Sequence, residues 1–328
     1  MAHDRLHFCL DQGGLILPED GTIALFGMPG DALLPLNDRA RFHAIQTFAP
    51  DAQRLRARGI ATETRPEGPY AAAIVTLPRA RDLAQARIAA ACAATPGGLI
   101  VIDGAKTDGV DALLKAAKSR TQVLGQVSKA HGRVFWFMAT DAFADWAGAA
   151  KTVDGFTTRP GVFSADGPDA GSVALAAVLP QKLGGIVTDL GGGWGYLPAQ
   201  VLDRPGLEAL HLVEADFDAL TCARENLTDP RVRFFWDDAT TWECPALADT
   251  VLMNPPFHTG RKADPALGQA FIAAAARCLK PSGALWMVAN RHLPYEDALA
   301  RHFRKVEEIP GPPGFKLIHA SHPARIRR

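Results

Sequence analysis

Residues 251–258 read Val-Leu-Met-Asn-Pro-Pro-Phe-His, and the rest of the chain is organised around them. Three apolar residues indicate a buried strand, and the two prolines end that strand abruptly. In open α/β sheets, ligands bind in the crevice beyond the carboxyl ends of the strands. We therefore expect the side chain of Asn254, the carbonyl of Pro255 and the aromatic ring of Phe257 to face a ligand.

The composition is that of a globular protein without a membrane span. The chain has 328 residues, enough for two ordinary domains, of which 48% are hydrophobic and 21% are charged. No apolar run approaches the ~18 residues of a membrane helix, and the polar start at residues 1–5 is not that of a signal peptide. The 35 basic and 35 acidic residues give no net charge, so a nucleic acid would have to bind a local basic patch.

The cysteines are odd in number and contain no Cys-x-x-Cys pair. The five are Cys9, Cys92, Cys222, Cys244 and Cys278. This scatter favours a reducing cytoplasm, and it predicts neither a disulfide framework nor a zinc site.

A strand followed by a glycine-rich turn lies about 60 residues upstream of the Asn-Pro-Pro-Phe stretch. Residues 186–190 are mostly apolar and include Asp189. Three glycines follow at alternate positions: Gly191, Gly193 and Gly195. Because glycine has no side chain, the backbone of this turn can approach a ligand closely. The dinucleotide fingerprint requires a glycine where this chain has Tyr196, and no Gly-Lys-Ser/Thr follows, so a P-loop is excluded and a dinucleotide site is disfavoured.

Carboxylates follow the next two predicted strands. Glu214 lies about 20 residues beyond the glycine turn, where a carboxylate suits two ribose hydroxyls, and Asp216 is a weaker candidate for that role. Asp238 is placed to accept a hydrogen bond from an adenine amino group. Each carboxylate alone is more often a solvated strand-end residue. Asp189, Glu214 and Asp238 stand at the ends of three successive strands of one predicted sheet. This arrangement favours a nucleoside site.

The first half of the chain contains an imperfect copy of the second. Residues 85–91, Gln-Ala-Arg-Ile-Ala-Ala-Ala, recur at 269–275 as Gln-Ala-Phe-Ile-Ala-Ala-Ala, and each copy runs into a Pro-x-Gly stop and an apolar strand. Alanine-rich helices can look alike by chance, but the agreement of the flanking elements favours duplication. Leu77 then takes the place of Asn254, so the first copy keeps the fold and lacks the chemistry.

Alternating strands and helices predict a mostly parallel, doubly wound sheet. Within the first half, Arg39 to Arg58 is predicted to be helical. Between the halves, residues 160–164 read Pro-Gly-Val-Phe-Ser, and Asp169 suits the N-cap of a helix through Leu179. This segment is either a plain turn before a helix or a loop over a ligand, with Phe163 covering it.

These motifs resemble those of class I S-adenosylmethionine-dependent methyltransferases. Asn-Pro-Pro-Phe at 254–257 is the pattern of enzymes that methylate an amino nitrogen on a planar group, and residues 189–195 resemble the first motif of the class. The whole chain resembles the ribosomal small-subunit guanine-N2 methyltransferases of the RsmC type, which share the Pro-Gly-Val-Phe-Ser…Asp-x-Gly-Ser segment and an inactive duplicated domain in front. Trp194 departs from the pattern, since many relatives have a small residue there.

The resemblance implies an α/β fold of two tandem Rossmann-like methyltransferase domains with doubly wound, mostly parallel sheets. A degenerate domain without a cofactor site would cover residues 1–145, a linker 146–159 and the catalytic domain 160–328. The implied cofactor is S-adenosyl-L-methionine, and the residues implied to bind it are Phe163, Asp169, Gly171, Asp189, Gly191, Gly193, Gly195, Glu214, Asp238 and Asn254. The residues implied to be catalytic are Asn254, Pro255 and Phe257.

The implied reaction methylates the exocyclic N2 amine of a guanine in small-subunit ribosomal RNA. The partner would be ribosomal RNA or the small ribosomal subunit, in the cytoplasm, with neither membrane nor metal. Three alternatives stay open: an N-methyltransferase on adenine or on protein glutamine, a dinucleotide oxidoreductase, and a non-catalytic RNA-binding scaffold. The target nucleotide, the assembly stage of the substrate and the oligomeric state are not determined by the sequence.

Overall fold

A computed structural model describes residues 3–12, 14–35, 37–256, 258–259, 262–263 and 265–324. The chain divides into two compact units. Unit 1 comprises residues 1–150 and 159–161, and unit 2 comprises residues 151–158 and 162–328.

Unit 1 is built on a seven-stranded sheet with helices packed against it. Its strands, in chain order, are β1 Ile23–Phe26, β2 Phe42–Ile45, β3 Ala61–Glu63, β4 Ala72–Thr76, β5 Leu99–Ala105, β6 Gly125–Lys129 and β7 Gly132–Met138. Its α-helices are α1 His3–Asp11, α2 Ala49–Ala57, α3 Arg81–Ala94 and α4 Val110–Arg120, and short 3-10 helices span Arg39–Arg41, Lys106–Asp108 and Asp141–Trp146. The strand order is β3-β2-β1-β4-β5-β7-β6, and β7 runs opposite to the other six strands of this sheet.

Unit 2 has a second seven-stranded sheet and two small hairpins. Its strands are β8 Lys151–Val153, β9 Phe156–Thr158, β10 Ile186–Leu190, β11 Ala209–Glu214, β12 Val232–Trp236, β13 Ala248–Met253, β14 His258–Thr259, β15 Lys262–Ala263, β16 Leu279–Asn290, β17 Phe303–Ile309 and β18 Phe315–Pro323. Its helices are α5 Ala170–Val178, α6 Tyr196–Ala199, α7 Phe217–Asn226, α8 Pro265–Cys278 and α9 Glu296–His302. The sheet order is β12-β11-β10-β13-β16-β18-β17, while β8 pairs with β9 and β14 with β15.

The two large sheets have the same topology, as the internal repeat predicts. Each has five parallel strands and an antiparallel pair at one edge. The central strands are buried on both faces, because helices cover both sides of a doubly wound sheet. Leu77 directly follows β4, and Asn254 directly follows the equivalent β13. The predicted α/β fold with doubly wound, mostly parallel sheets is therefore confirmed.

Two sequence-based expectations differ from the structure. The predicted helix from Arg39 to Arg58 is wrong in its first half, where residues 42–45 form the buried parallel strand β2. A short apolar run between polar flanks fits either a strand or a helix, and pairing with β1 decides for the strand. Within the predicted linker 146–159, residues 151–158 form the hairpin of β8 and β9 and belong to unit 2.

The expectation of no disulfide is wrong for one cysteine pair. Cys244 and Cys278 form a disulfide, with their Cα atoms 5.7 Å apart and a separation of 34 positions in sequence. The other three cysteines are buried and form no disulfide. This pair could not be predicted from the sequence, because only the fold brings the end of α8 beside the loop after β12. No helix among the described residues is long and apolar enough to cross a membrane.

Candidate active site

A cleft opens at the carboxyl ends of β10 and β13. Its lining residues are Phe163, Ser164, Asp169, Ser172, Asp189, Gly191, Gly192, Gly193, Trp194, Tyr196, Leu197 and Asn254. Residues from three separate sequence segments meet here because β10 and β13 are parallel neighbours, so their carboxyl ends lie at the same edge of the sheet.

The glycine turn after β10 forms one wall of the cleft. Gly191 and Gly193 have φ angles of +75° and +55°, in the left-handed region that favours glycine. A Cβ atom added at Gly193 would meet nothing within 4 Å, so this backbone is open to a ligand. Gly195 differs, because a Cβ there would lie 2.8 Å from Leu227 Cδ1. Gly195 thus allows the turn to pack closely on Leu227, and it is not among the residues that line the cleft.

Glu214 is tied to this turn from the end of β11. Its Oε2 accepts a hydrogen bond of 2.8 Å from the Gly193 N–H, and its Oε1 accepts one of 2.8 Å from the Asp216 N–H. Burial raises the pKa of Glu214, although these backbone donors lower it. Asp216 caps α7 by accepting from the Asp218 N–H at 2.9 Å, and burial, then the charge of Glu214, raises its pKa to about 7.

Asp189 is a buried carboxyl group in the cleft wall. The residue is 1% exposed, and neither of its carboxyl oxygens has a hydrogen-bond partner among the described residues. Burial, followed by the charge of Glu214, raises the pKa of Asp189 to about 8. A buried carboxyl without partners is costly unless a donor or a cation binds it. This group is therefore suited to hold the polar or cationic part of a ligand.

The amide of Asn254 is fixed by two neighbours. Its Nδ2 donates to Asp169 Oδ2 at 2.8 Å and to Ser172 Oγ at 2.9 Å. Asp169 is the N-cap of α5, as predicted, since Oδ2 also accepts from the Ser172 N–H at 2.9 Å. A carboxylate only accepts hydrogen bonds, so Nδ2 and not Oδ1 must face Asp169. Ser172 is the serine of the Asp-x-Gly-Ser segment, but the sequence alone did not indicate that its side chain is part of the site.

The other predicted site residues lie around the cleft. Gly171 lies behind Asp169, because a Cβ there would be 3.0 Å from Asp169 Oδ2. Asp238 lies two residues beyond β12, and its Oδ1 accepts from the Thr240 N–H at 2.9 Å and from Thr240 Oγ1 at 2.6 Å. Pro255 is buried directly after Asn254. Phe257 lies outside the described residues.

Trp194, the departure from the expected motif, braces the loop that carries Phe163. It is 4% exposed, and its Nε1 donates to the Phe163 carbonyl at 2.9 Å. The ring of Phe156, from the hairpin, packs against it with centroids 5.0 Å apart. Phe163 itself is 58% exposed beside the cleft. The bulky indole therefore supports the wall instead of filling the cleft.

Asn226, at the end of α7, connects the hairpin to the glycine turn. Its Oδ1 accepts from the Thr157 N–H at 2.7 Å, and its Nδ2 donates to the carbonyls of Thr157 at 3.0 Å and Trp194 at 2.9 Å. Residues predicted to be part of a linker thus stabilise the site. Their polar sequence carries no strand periodicity, which is why the sequence did not indicate this role.

Unit 1 has different chemistry at the positions that correspond to this site. The matching strand registers place Leu25 at the position of Asp189, and Gln46 at the position of Glu214. Gln46 Nε2 donates to the Met28 carbonyl at 2.8 Å, whereas Glu214 accepts from the turn. The carboxylates of unit 2 therefore have no counterparts among these residues of unit 1.

The corresponding turn of unit 1 is occupied by an arginine. Arg87 takes the place of Phe271 in the sequence repeat, and its Nη1 donates to the Thr76 carbonyl at 3.2 Å. A Cβ added at Gly27 would collide with this guanidinium, whereas one at the equivalent Gly191 would lie 3.3 Å from the Phe271 ring. This packing supports the prediction that unit 1 has no cofactor site.

Comparisons with known proteins match both the site and the whole chain. The model of the methyltransferase small domain family matches residues 154–319. The ribosomal RNA small subunit methyltransferase C of Pseudomonas paraeruginosa is 30% identical over 316 residues, which cover 91% of this chain and 94% of that protein. The ribosomal RNA large subunit methyltransferase G of Pseudomonas syringae is 39% identical over 165 residues, or 48% of this chain and 44% of that protein.

A solved structure also matches along almost the full length. It is the 16S ribosomal RNA N2 guanine methyltransferase RsmC of T. thermophilus in complex with AdoMet and guanosine. The TM-score is 0.79 at 25% sequence identity, and the match covers 98% of this chain and 91% of that chain.

Proposed function

Because this chain belongs to the methyltransferase small domain family and resembles ribosomal RNA small subunit methyltransferase C over almost its full length, we propose that it methylates the N2 amine of a guanine in small-subunit ribosomal RNA. The methyl donor is S-adenosylmethionine. The observation that carries the proposal is the amide of Asn254, held at the end of β13 with its oxygen as the acceptor, beside an open glycine turn.

The residues of the cleft fit this cofactor. Asp189 offers buried, unpartnered oxygens to a cationic or hydrogen-bond-donating group, and the backbone at Gly193 leaves room for close approach. Glu214 would hold the ribose, Asp238 the adenine amine, and Phe163 would cover the site. When bound, the cofactor supplies a sulfonium methyl that is activated for in-line displacement.

Asn254 orients the acceptor amine. An exocyclic amine on guanine is a poor nucleophile, because its lone pair is delocalised into the ring. Asn254 Oδ1 and the Pro255 carbonyl each accept one of its hydrogens and direct the lone pair at the methyl group, so that position supplies much of the rate. The amide is neutral and no strong base, so the proton leaves to water after transfer.

The base must leave a helix to reach this cleft, so the target is unpaired or flipped out. Phe257 would stack on it, contributing ~1–3 kcal/mol by analogy with single-strand binders. The relative that acts on the large subunit matches only about half of this chain, whereas the small-subunit relative matches 91% of it. This difference favours the small subunit, which also implies a cytoplasmic location.

The test is a methylation assay with labelled S-adenosylmethionine on separate acceptors. The acceptors are small subunits, large subunits, bare ribosomal RNA, duplex DNA and a release-factor-like protein. We expect label on small-subunit RNA as N2-methylguanine, more in a folded particle than in generic RNA, since a chain of zero net charge binds naked RNA weakly. Asn254→Ala is the matched inactive control. Label on adenine, on glutamine or only on large-subunit RNA would overturn the substrate assignment.

A further inference from the structure

Three hydrogen bonds form a closed triangle around Asn254. Its Nδ2 reaches both Asp169 Oδ2 and Ser172 Oγ, and the Ser172 N–H donates to the same Asp169 oxygen. Capping α5 requires only the last of these bonds. The other two engage both hydrogens of the Asn254 amide, and all three residues line the cleft.

A primary amide has two opposite hydrogen-bonding faces that exchange by a half-turn of its plane. The orientation with Oδ1 toward the substrate accepts a hydrogen from an amine. The opposite orientation points N–H groups at the amine, which cannot then direct its lone pair at the methyl group. Nothing in the chemistry of asparagine selects between these states, so its neighbours must.

The neighbours of Asn254 make that selection. The Asp169 carboxylate accepts hydrogen bonds and cannot donate them, so it binds Nδ2 and would repel Oδ1. Gly171 leaves space for this arrangement, because any Cβ at that position would lie 3.0 Å from Asp169 Oδ2. Asp169 is thus engaged by Asn254, 85 residues away, as well as by its own helix.

We propose that Asp169 and Ser172 are positioning residues that lock Asn254 as an obligate hydrogen-bond acceptor, so that the site recognises a substrate through an N–H donor. This inference rests on the proposed function and deepens it. It also changes the role expected for Asp169, from a cofactor ligand to a residue that acts through Asn254.

Asp169→Asn separates this role from helix capping. Asparagine caps helices about as well as aspartate, so the fold should be kept. An amide at 169 can, however, pair with either orientation of Asn254, because it both donates and accepts. We expect the same thermal midpoint and cofactor Kd as wild type, with kcat at least tenfold lower at saturating cofactor. Ser172→Ala, which retains the backbone N–H, should lower kcat by a smaller factor.

A binding measurement that does not depend on turnover gives the second readout. Guanosine carries the N2 amine and inosine lacks it, so wild type should bind guanosine more tightly than inosine. Asp169→Asn should reduce this preference, and Asp38→Asn, the same substitution at an N-cap of unit 1, should leave both kcat and the preference unchanged.

The outcomes separate the two claims. If wild type methylates guanine while Asp169→Asn and Ser172→Ala retain full kcat and preference, the positioning role is wrong and the proposed function stands. If Asp169→Asn instead lowers cofactor affinity in proportion to its loss of rate, Asp169 belongs to the cofactor site. If wild type fails to methylate guanine, the proposed function itself is wrong.

Discussion

Asp189→Asn should stabilise the ligand-free protein while weakening cofactor binding. In the structure the carboxyl group is 1% exposed and unpartnered, and burial raises its pKa from 3.8 to about 8. Because the folded state holds this proton more tightly than the unfolded state does, stability is lost as the pH rises from the unfolded pKa through the folded pKa. Asparagine does not titrate and escapes this loss.

The magnitude follows from the pKa interval. Between pH 5 and pH 8 the interval covers about 3 pH units, which at 1.36 kcal/mol per unit is ~4 kcal/mol as an upper bound. For a unit of this size, 1 kcal/mol corresponds to roughly 2–4 °C in Tm, so the Tm advantage of Asp189→Asn should grow by about 10 °C over that pH range. Replacing a ligand-binding carboxyl group with an amide therefore raises the stability of the ligand-free protein and lowers its affinity for the ligand.

The assay is thermal unfolding of wild type and Asp189→Asn at pH 5 and pH 8, without ligand, followed by calorimetric titration with S-adenosylmethionine at pH 8. The difference between the Tm of unit 2 in the variant and in wild type should increase as the pH rises. Identical pH dependence of Tm in wild type and variant would refute the reasoning from burial. Unchanged cofactor affinity would refute the role of Asp189 in the cofactor site.

Three further predictions concern the same unit. Asn254→Ala should lose ~2–4 kcal/mol of transition-state stabilisation, by analogy with oxyanion donors, with near-normal cofactor Kd; lost affinity with normal turnover would reverse its role. Calorimetry should find one cofactor bound per chain. Gly193→Val should abolish this binding, because the left-handed φ at this position strains a branched residue. A second binding site would place a cofactor in unit 1. Reductant should lower the Tm of wild type but not that of Cys244→Ser, because opening the disulfide removes ~3–4 kcal/mol of stabilisation by loop entropy.

The carboxyl ends of the strands could be predicted because each buried strand ends at an abrupt change of composition. Prolines after Asn254 and glycines after Leu190 mark two of these ends, and parallel pairing of β10 with β13 brings them together. Such signals are local, and the doubly wound architecture then supplies their common location.

The contacts that hold the site could not be predicted in the same way. Asn254 meets Asp169 across 85 residues, and Asn226 meets Thr157 across 69. No periodicity encodes such pairs. The hairpin of β8 and β9 and the edge strands β6 and β17 were also missed, because their residues are largely polar and exposed and lack the alternation that marks a half-buried strand.

Mass spectrometry of ribosomal RNA nucleosides from a strain that lacks this protein tests the central claim most directly. We predict that small-subunit RNA loses N2-methylguanine at a single position, and that wild-type protein restores it whereas Asn254→Ala does not. An unchanged content of N2-methylguanine in small-subunit RNA, or a loss confined to large-subunit RNA or to methyladenine, would contradict the account.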